Sequence, residues 1–255
     1  MTVFDPVLEL AENANTYTPL EPGDERLVTE RWVLWLGRED HPSWNVAQRF
    51  RLRADEVEQA REEIHEALRA RGRTGCTWEV GSSATPPDLV ERLYALGLVD
   101  DSDPLAVGMV LTEPPLQAPP ADVEVRRVGS AEDELVAARI AAVAFGTPEP
   151  ATAEHDPDSG SVTYLAYVDG EPAARATASF TEHGATLFGG ATLPAARGRG
   201  AYRALVAARW DDAVARGTPL LVTQAGAQSR PILARLGFRE VCTIRILLDA
   251  FGAAR

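Results

Sequence analysis

The chain has 255 residues, 45% of them apolar, with 38 acidic against 25 basic side chains and a net charge of −13. That composition excludes a disordered or collagenous chain and argues against nucleic acid or an anionic membrane as partner. Every basic residue is arginine; without lysine there is no Schiff base, no catalytic lysine and no P-loop lysine, a zero that a GC-rich genome explains. Residues 1–118 carry 11 arginines and 22 acidic residues, whereas 119–255 carry 14 and 16, so only the second half suits a bound anion. The two cysteines, Cys76 and Cys242, read as free thiols of a reducing compartment. Residues 1–10 lack the apolar core of a signal peptide, and no run of about 18 apolar residues occurs. A soluble, cytoplasmic protein is expected.

In chain order, the first half predicts a short strand at 49–52 and a charged amphipathic helix at 54–70. A strand at 76–80, a helix at 87–96 and a strand at 107–111 follow. Residues 112–121 hold four prolines and read as a stiff linker, or else as a long ordered loop. Beyond them a strand is expected at 123–128, then a helix at 135–145 after a Ser130/Asp133 cap. A polar loop at 147–161 leads to strands at 162–168, 173–181 and 185–193, the first two joined by an Asp169-Gly170 hairpin. The remaining elements are a helix at 201–216, a strand at 220–223, a helix at 229–236 and a strand at 241–248. This order makes a mixed α/β fold. The halves echo each other: Ala70-Arg71-Gly72 matches Ala215-Arg216-Gly217, and Leu96-Gly97-Leu98 matches Leu236-Gly237-Phe238. Domains are expected at 1–111 and 122–255, joined by 112–121.

The segment from Pro194 to Arg203, with the run Arg197-Gly198-Arg199-Gly200-Ala201-Tyr202, joins a strand to a helix. Glycines let backbone amides converge, and a helix N-terminus adds free N–H groups and a positive dipole, so the loop makes a phosphate cradle. Arg197, Arg199 and Arg203 add guanidinium groups suited to phosphate oxygens. It is neither a Walker loop nor a Rossmann fingerprint.

Residues 123–248 resemble the GNAT superfamily of acetyl-CoA-dependent N-acetyltransferases. Arg197, Gly200, Pro194 and Leu236-Gly237-Phe238 match its motif, and Tyr202 stands where that motif has Gly or Ala. The resemblance implies that the amides of Gly198, Arg199, Gly200, Ala201, Tyr202 and Arg203 hold the CoA pyrophosphate. It further implies that Gly190, Ala191 and Thr192 bond pantetheine like an added strand, with the thioester where that strand parts from residues 220–224. The first half resembles a degenerate GNAT domain of tandem proteins, on Asn45, Trp78, Pro86-Pro87-Asp88-Leu89, Leu96-Gly97-Leu98 and Met109. Its long helix opens with Arg51-Leu52-Arg53-Ala54-Asp55-Glu56 in place of a glycine loop. Carboxylates would meet a phosphate there, so no CoA is expected in that half. The whole chain therefore reads as two GNAT-like domains in tandem.

The family's usual Tyr, Asn and Glu correspond here to Leu233, Gly226 and Leu221. Ser229, Tyr202 and His155 remain as catalytic candidates. Ser229 equally reads as a helix cap and Tyr202 as packing, and His155 lies in an acidic loop with Glu154, Asp156 and Asp158. No His/Cys/Asp spacing makes a metal site. The expected function is acetyl-CoA-dependent transfer to a primary amine of a small molecule, the net charge favouring a cationic acceptor. An acyl-CoA-binding sensor or scaffold is the rival reading, and acyl transfer to a hydroxyl a third. A homodimer is left open.

Overall fold

The computed structural model describes residues 5–38 and 40–251. The first residues of the stretch read as lacking a signal peptide, and the outer ends of both expected domains, lie outside the described residues. The chain folds as two compact units. Unit 1 comprises Met1–Gly108, Gln224–Arg230 and Glu240–Arg255; unit 2 comprises Met109–Thr223 and Pro231–Arg239. The units thus depart from the 112–121 boundary at the C-terminal end.

The elements are α1 (Pro6–Glu12), β1 (Glu25–Val28), β2 (Val33–Leu36), β3 (Asn45–Gln48), α2 (Val57–Arg69), β4 (Gly75–Gly81), α3 (Leu89–Ala95) and β5 (Val99–Leu111). They continue with β6 (Val123–Arg127), α4 (Ala131–Phe145), β7 (Ser161–Val168), β8 (Glu171–Phe180), β9 (Ala185–Thr192), α5 (Ala201–Ala215), β10 (Leu221–Ala225), α6 (Arg230–Arg235) and β11 (Arg239–Ala250). Mixed α/β is the observed class, as the sequence implies.

In unit 1, β1, β2 and β3 form an antiparallel meander and β4 joins β3 in parallel. The last strand, β11, lies antiparallel to β4 from Gly75↔Ala250 to Gly81↔Ile244, which is why residues 240–250 belong to this unit. Val57, Ala60, Ile64 and Leu68 recur at helical spacing and are buried as one stripe of α2. They join a core with Trp78, whose ring stacks on Phe50 at 4.7 Å. The expected strand at 49–52 is displaced: β3 ends at Gln48, because Arg49 has φ +58° and its amide donates to Asn13 Oδ1 at 2.9 Å. Buried Asp249 accepts two hydrogen bonds from Arg61 at 3.0 Å and one from His65 at 2.8 Å, clasping β11 to α2. Burial opposes the Asp249 charge, but His65 and Arg61 prevail and hold its carboxyl below the usual range.

In unit 2, β6, β7, β8 and β9 run antiparallel in order, and β10 joins β9 in parallel. The Asp169-Gly170 turn takes φ +53° and +84°, as a two-residue hairpin demands. Helix α4 starts at Ala131, earlier than the expected 135, because the Ser130 hydroxyl accepts the Asp133 amide at 3.1 Å. Leu165 and Ala191 pack on Ala137 and Ile140 of α4. Tyr164, one residue away on β7, donates to Asp212 of α5. The two helices therefore cover opposite faces of the sheet.

Candidate functional site

The loop before α5 joins β9 to the helix start, where the sequence places it. A short turn, Pro194–Ala196, leads through Gly198 (φ +80°) to Gly200 (φ +82°), the N-cap. These left-handed values turn successive amides toward one point. Among the described residues, the amides of Gly198, Gly200, Ala201, Tyr202 and Arg203 donate to no protein acceptor, whereas Ala204 already donates to Gly200 and Arg199 to Ala196. A Cβ built at Gly198 meets nothing within 4 Å, so a phosphate can approach the loop there. The residues present thus fit a pyrophosphate.

Strand β9 supplies the second part. Its pairing with β10 covers only Leu221↔Ala185 and Val222↔Thr186, followed by a Thr223 Oγ1 bond to the Leu187 carbonyl at 3.0 Å. A bulge opposite residues 175–177 of β8 follows, with Gly189 at φ +60°. From there Ala191 and Thr192 pair with Arg175 and Ala174 of β8 on one edge, and among the described residues Gly190, Ala191 and Thr192 pair with no strand on the other, as an added pantetheine strand would require.

The three arginines differ. Arg197 is exposed and has no ion pair or side-chain hydrogen bond among the described residues. Arg199 is held by Asp169 through two bonds of 3.1 Å, with Asp122 at 3.9 Å. Arg203 donates to Gln117 at 3.1 Å. Residues 112–121 form no helix or strand, yet they are tied into unit 2: the Leu116 amide donates to the Leu236 carbonyl at 3.1 Å and Gln117 to that of Arg235 at 3.3 Å. Pro120 lies so close to Gly200 that a Cβ there would stand 2.4 Å from its Cγ.

The catalytic candidates lie on different elements and loops. Tyr202 packs on β9, since a Cβ at Gly190 would stand 2.9 Å from its ring. Gly190 alternates with Ala191, which packs on α4, so Tyr202 lies on the α5 face. Ser229 belongs to unit 1, and its hydroxyl donates to the Gly226 carbonyl at 3.4 Å. His155 lies in unit 2, its Nδ1 3.7 Å from Glu134 Oε1. Leu221 and Leu233 are buried hydrocarbon. Cys76 and Cys242 are free and buried, and burial pushes the Cys242 thiol up to about 12. Among the described residues, no three His, Cys, Asp or Glu side chains group around a metal position, and no helix is long and apolar enough to cross a membrane.

Sequence reasoning missed two charged residues of the α4 face: Glu134, beside His155, and Arg175. Arg175 pairs across the sheet with Leu165 and Ala191, which places it on the α4 face. Its Nη1 donates to the Gly189 carbonyl and its Nη2 to Thr177 Oγ1, both at 2.9 Å. Burial depresses the Arg175 guanidinium and Glu134 counters it; burial raises the Glu134 carboxyl while Arg175 and His155 lower it, with a net rise. One signal was visible: Arg175 interrupts an alanine-rich strand. Glu134 gave none, because a first-turn acid is ordinary dipole chemistry.

Unit 1 offers the matching slot already filled. Strands β3 and β4 pair only at Val46↔Thr77 and Ala47↔Trp78 before parting. The N-terminal segment bonds to both sides of the gap. On the β3 side, Gln48 donates to the Asn13 carbonyl and to Thr16 Oγ1, and Arg51 to Glu9. On the β4 side, the Ser83 amide and the Ser82 hydroxyl donate to Glu12 at 2.6 and 3.2 Å. At the start of the long helix Glu56 accepts the Arg53 amide at 2.8 Å.

No family model and no curated protein matches the chain. Solved structures do. A GCN5-related N-acetyltransferase from Kribbella flavida has a TM-score of 0.72 at 24% identity, over 91% of each chain. A tandem GNAT protein from the clavulanic acid biosynthesis pathway covers 98% of this chain and 95% of its own, with a TM-score of 0.62 at 15% identity. A GCN5-related N-acetyltransferase from Sphaerobacter thermophilus gives 0.60 at 15% identity, over 88% of this chain and 82% of its own. The fold is therefore the GNAT acetyltransferase fold, shared along nearly the whole chain with a tandem GNAT protein.

Proposed function

We propose that this chain is an acetyl-CoA-dependent N-acetyltransferase acting on a primary amine of a small molecule. The observation that carries the reading is the set of partnerless amides at Gly198, Gly200, Ala201, Tyr202 and Arg203, next in the chain to a strand edge without a partner. Acetyl-CoA is the substrate: its pyrophosphate would sit at those amides with Arg197 beside it, and its pantetheine along Gly190, Ala191 and Thr192. The amine nitrogen bonds to the thioester carbon and the C–S bond breaks. CoA leaves as a thiolate that takes up a proton, and the amine gives one up to a base. Backbone N–H groups near Thr192 polarise the carbonyl. Glu134 and His155 on the α4 face, with the net charge of −13, support a cationic acceptor.

Buried Leu221 and Leu233, where the resemblance places the family's Glu and Tyr, support the second reading, an acyl-CoA-binding sensor or scaffold. Thermal shift with acetyl-CoA, run beside a thiol-release assay on a panel of primary amines, decides. Stabilisation with turnover is the expected result. Stabilisation with no turnover on any amine establishes the sensor, and no stabilisation overturns both.

A further inference from the structure

The α4 face of unit 2 carries Glu134 beside His155, and Arg175 at the β9 bulge. The His155 imidazole stands with Nδ1 3.7 Å from Glu134 Oε1. That nitrogen is buried and has no hydrogen-bond partner among the described residues. Glu134 in turn lies within the field of Arg175, whose guanidinium grips the Gly189 carbonyl at 2.9 Å. Asp133 is the other charge acting on Glu134, and it opposes ionisation. A buried, unpartnered nitrogen 3.7 Å from a carboxylate is an incomplete hydrogen bond, and such contacts in ligand-free sites tighten when substrate binds.

We propose that Glu134 is a positioning residue, holding the His155 proton on Nδ1 so that Nε2 is the base for the acceptor amine. The proposal rests on the acetyl-transfer reading above. As the amine nitrogen attacks the thioester carbon, its proton passes to Nε2; the C–S electron pair leaves with sulfur, which is protonated from solvent. Arg175 partly balances the Glu134 charge through its field and fixes the bulge carbonyl.

The chain has only four histidines, which makes long-range 1H–15N spectra of the imidazoles a direct test on the full-length protein. In the unmodified chain, neutral His155 should carry its proton on Nδ1; in Glu134→Ala it should move to Nε2, while the signals of His41, His65 and His183 stay in place. An Nε2–H tautomer in the unmodified protein, or one tautomer shared by both proteins, overturns the proposal. In the thiol-release assay, His155→Gln should lose about 100-fold or more in kcat and Glu134→Ala about tenfold, while Glu134→Asp should recover part of that loss. Acetyl-CoA affinity should stay within twofold throughout. Unchanged kcat in Glu134→Ala contradicts the role. Failure of the unmodified protein to bind acetyl-CoA would instead defeat the acetyl-transfer reading, a different result from a wrong tautomer.

Discussion

In unit 2 the chain enters its long helix through Arg197, Gly198, Arg199 and Gly200, and the amides of the first turn are left without acceptors. In unit 1 it enters through Arg51, Leu52, Arg53 and the turn Ala54–Glu56, where the Glu56 carboxylate accepts the Arg53 amide and Asp55 and Glu56 both pair with Arg53. Beside each entrance a parallel strand pair parts after two residue pairs. In unit 2 the parted edge of β9 has no partner strand among the described residues; in unit 1 the gap is bonded on both sides by Glu9, Glu12, Asn13 and Thr16. One fold thus gives two outcomes. What selects between them is a few residues at the helix start and whether the chain's own N-terminal segment occupies the slot.

Unit 1, with its groups bonded to one another, should respond to mutation in stability, and unit 2 in binding. Asp249→Ala leaves His65 and Arg61 without their buried carboxylate and should cost about 3–5 kcal/mol at pH 7, read by urea unfolding. Because the folded Asp249 carboxyl is held low, its contribution is complete above the unfolded value near 4 and is lost as pH falls through the folded value. The gap between the unmodified chain and Asp249→Asn should therefore persist from about pH 7 to 5 and narrow only below about pH 4. Narrowing already at pH 6 would contradict the clasp.

In unit 2, Gly198→Asp puts a carboxylate into the cradle at an unobstructed position whose left-handed φ Asp tolerates. Acetyl-CoA affinity should fall at least about 100-fold, with Gly198→Asn within about fivefold as the conformational control. Gly200→Glu should also abolish binding, but it drives a side chain into Pro120 and so mixes repulsion with misfolding. Glu12→Gln, which weakens the acceptor for Ser82 and Ser83, should cost about 1–3 kcal/mol and leave acetyl-CoA affinity unchanged. A change in affinity there would break the contrast between the units. The smallest effect separates two arginines: Arg197→Gln should weaken binding several-fold, and Arg199→Gln less, because Arg199 is already engaged by Asp169.

Much of this was legible in the sequence. The alternation at 162–193, the Asp169-Gly170 turn and the Arg-Gly-Arg-Gly loop each act through local chemistry, and each falls where expected. Leu98 and Phe238 donate to Leu93 and Leu233 across Gly97 and Gly237 at 3.1 Å, so the echo between the halves is one helix-ending bond used twice. Residues 5–48 gave no elements, because α1, β1 and β2 are short and take their order from partners far along the chain. The return of β11 to β4 was hidden for the same reason: seven paired residues join positions about 170 apart, and nothing local encodes that register. Arg175 and Glu134 escaped because their meaning lies in what they face across the sheet.

The central contrast, a cradle open in unit 2 and a slot closed in unit 1, is tested most directly by isothermal titration of the full chain with acetyl-CoA. One site per chain in the unmodified protein, and none in Gly198→Asp, is the predicted result. Two sites per chain, or a site that survives Gly198→Asp, would contradict it.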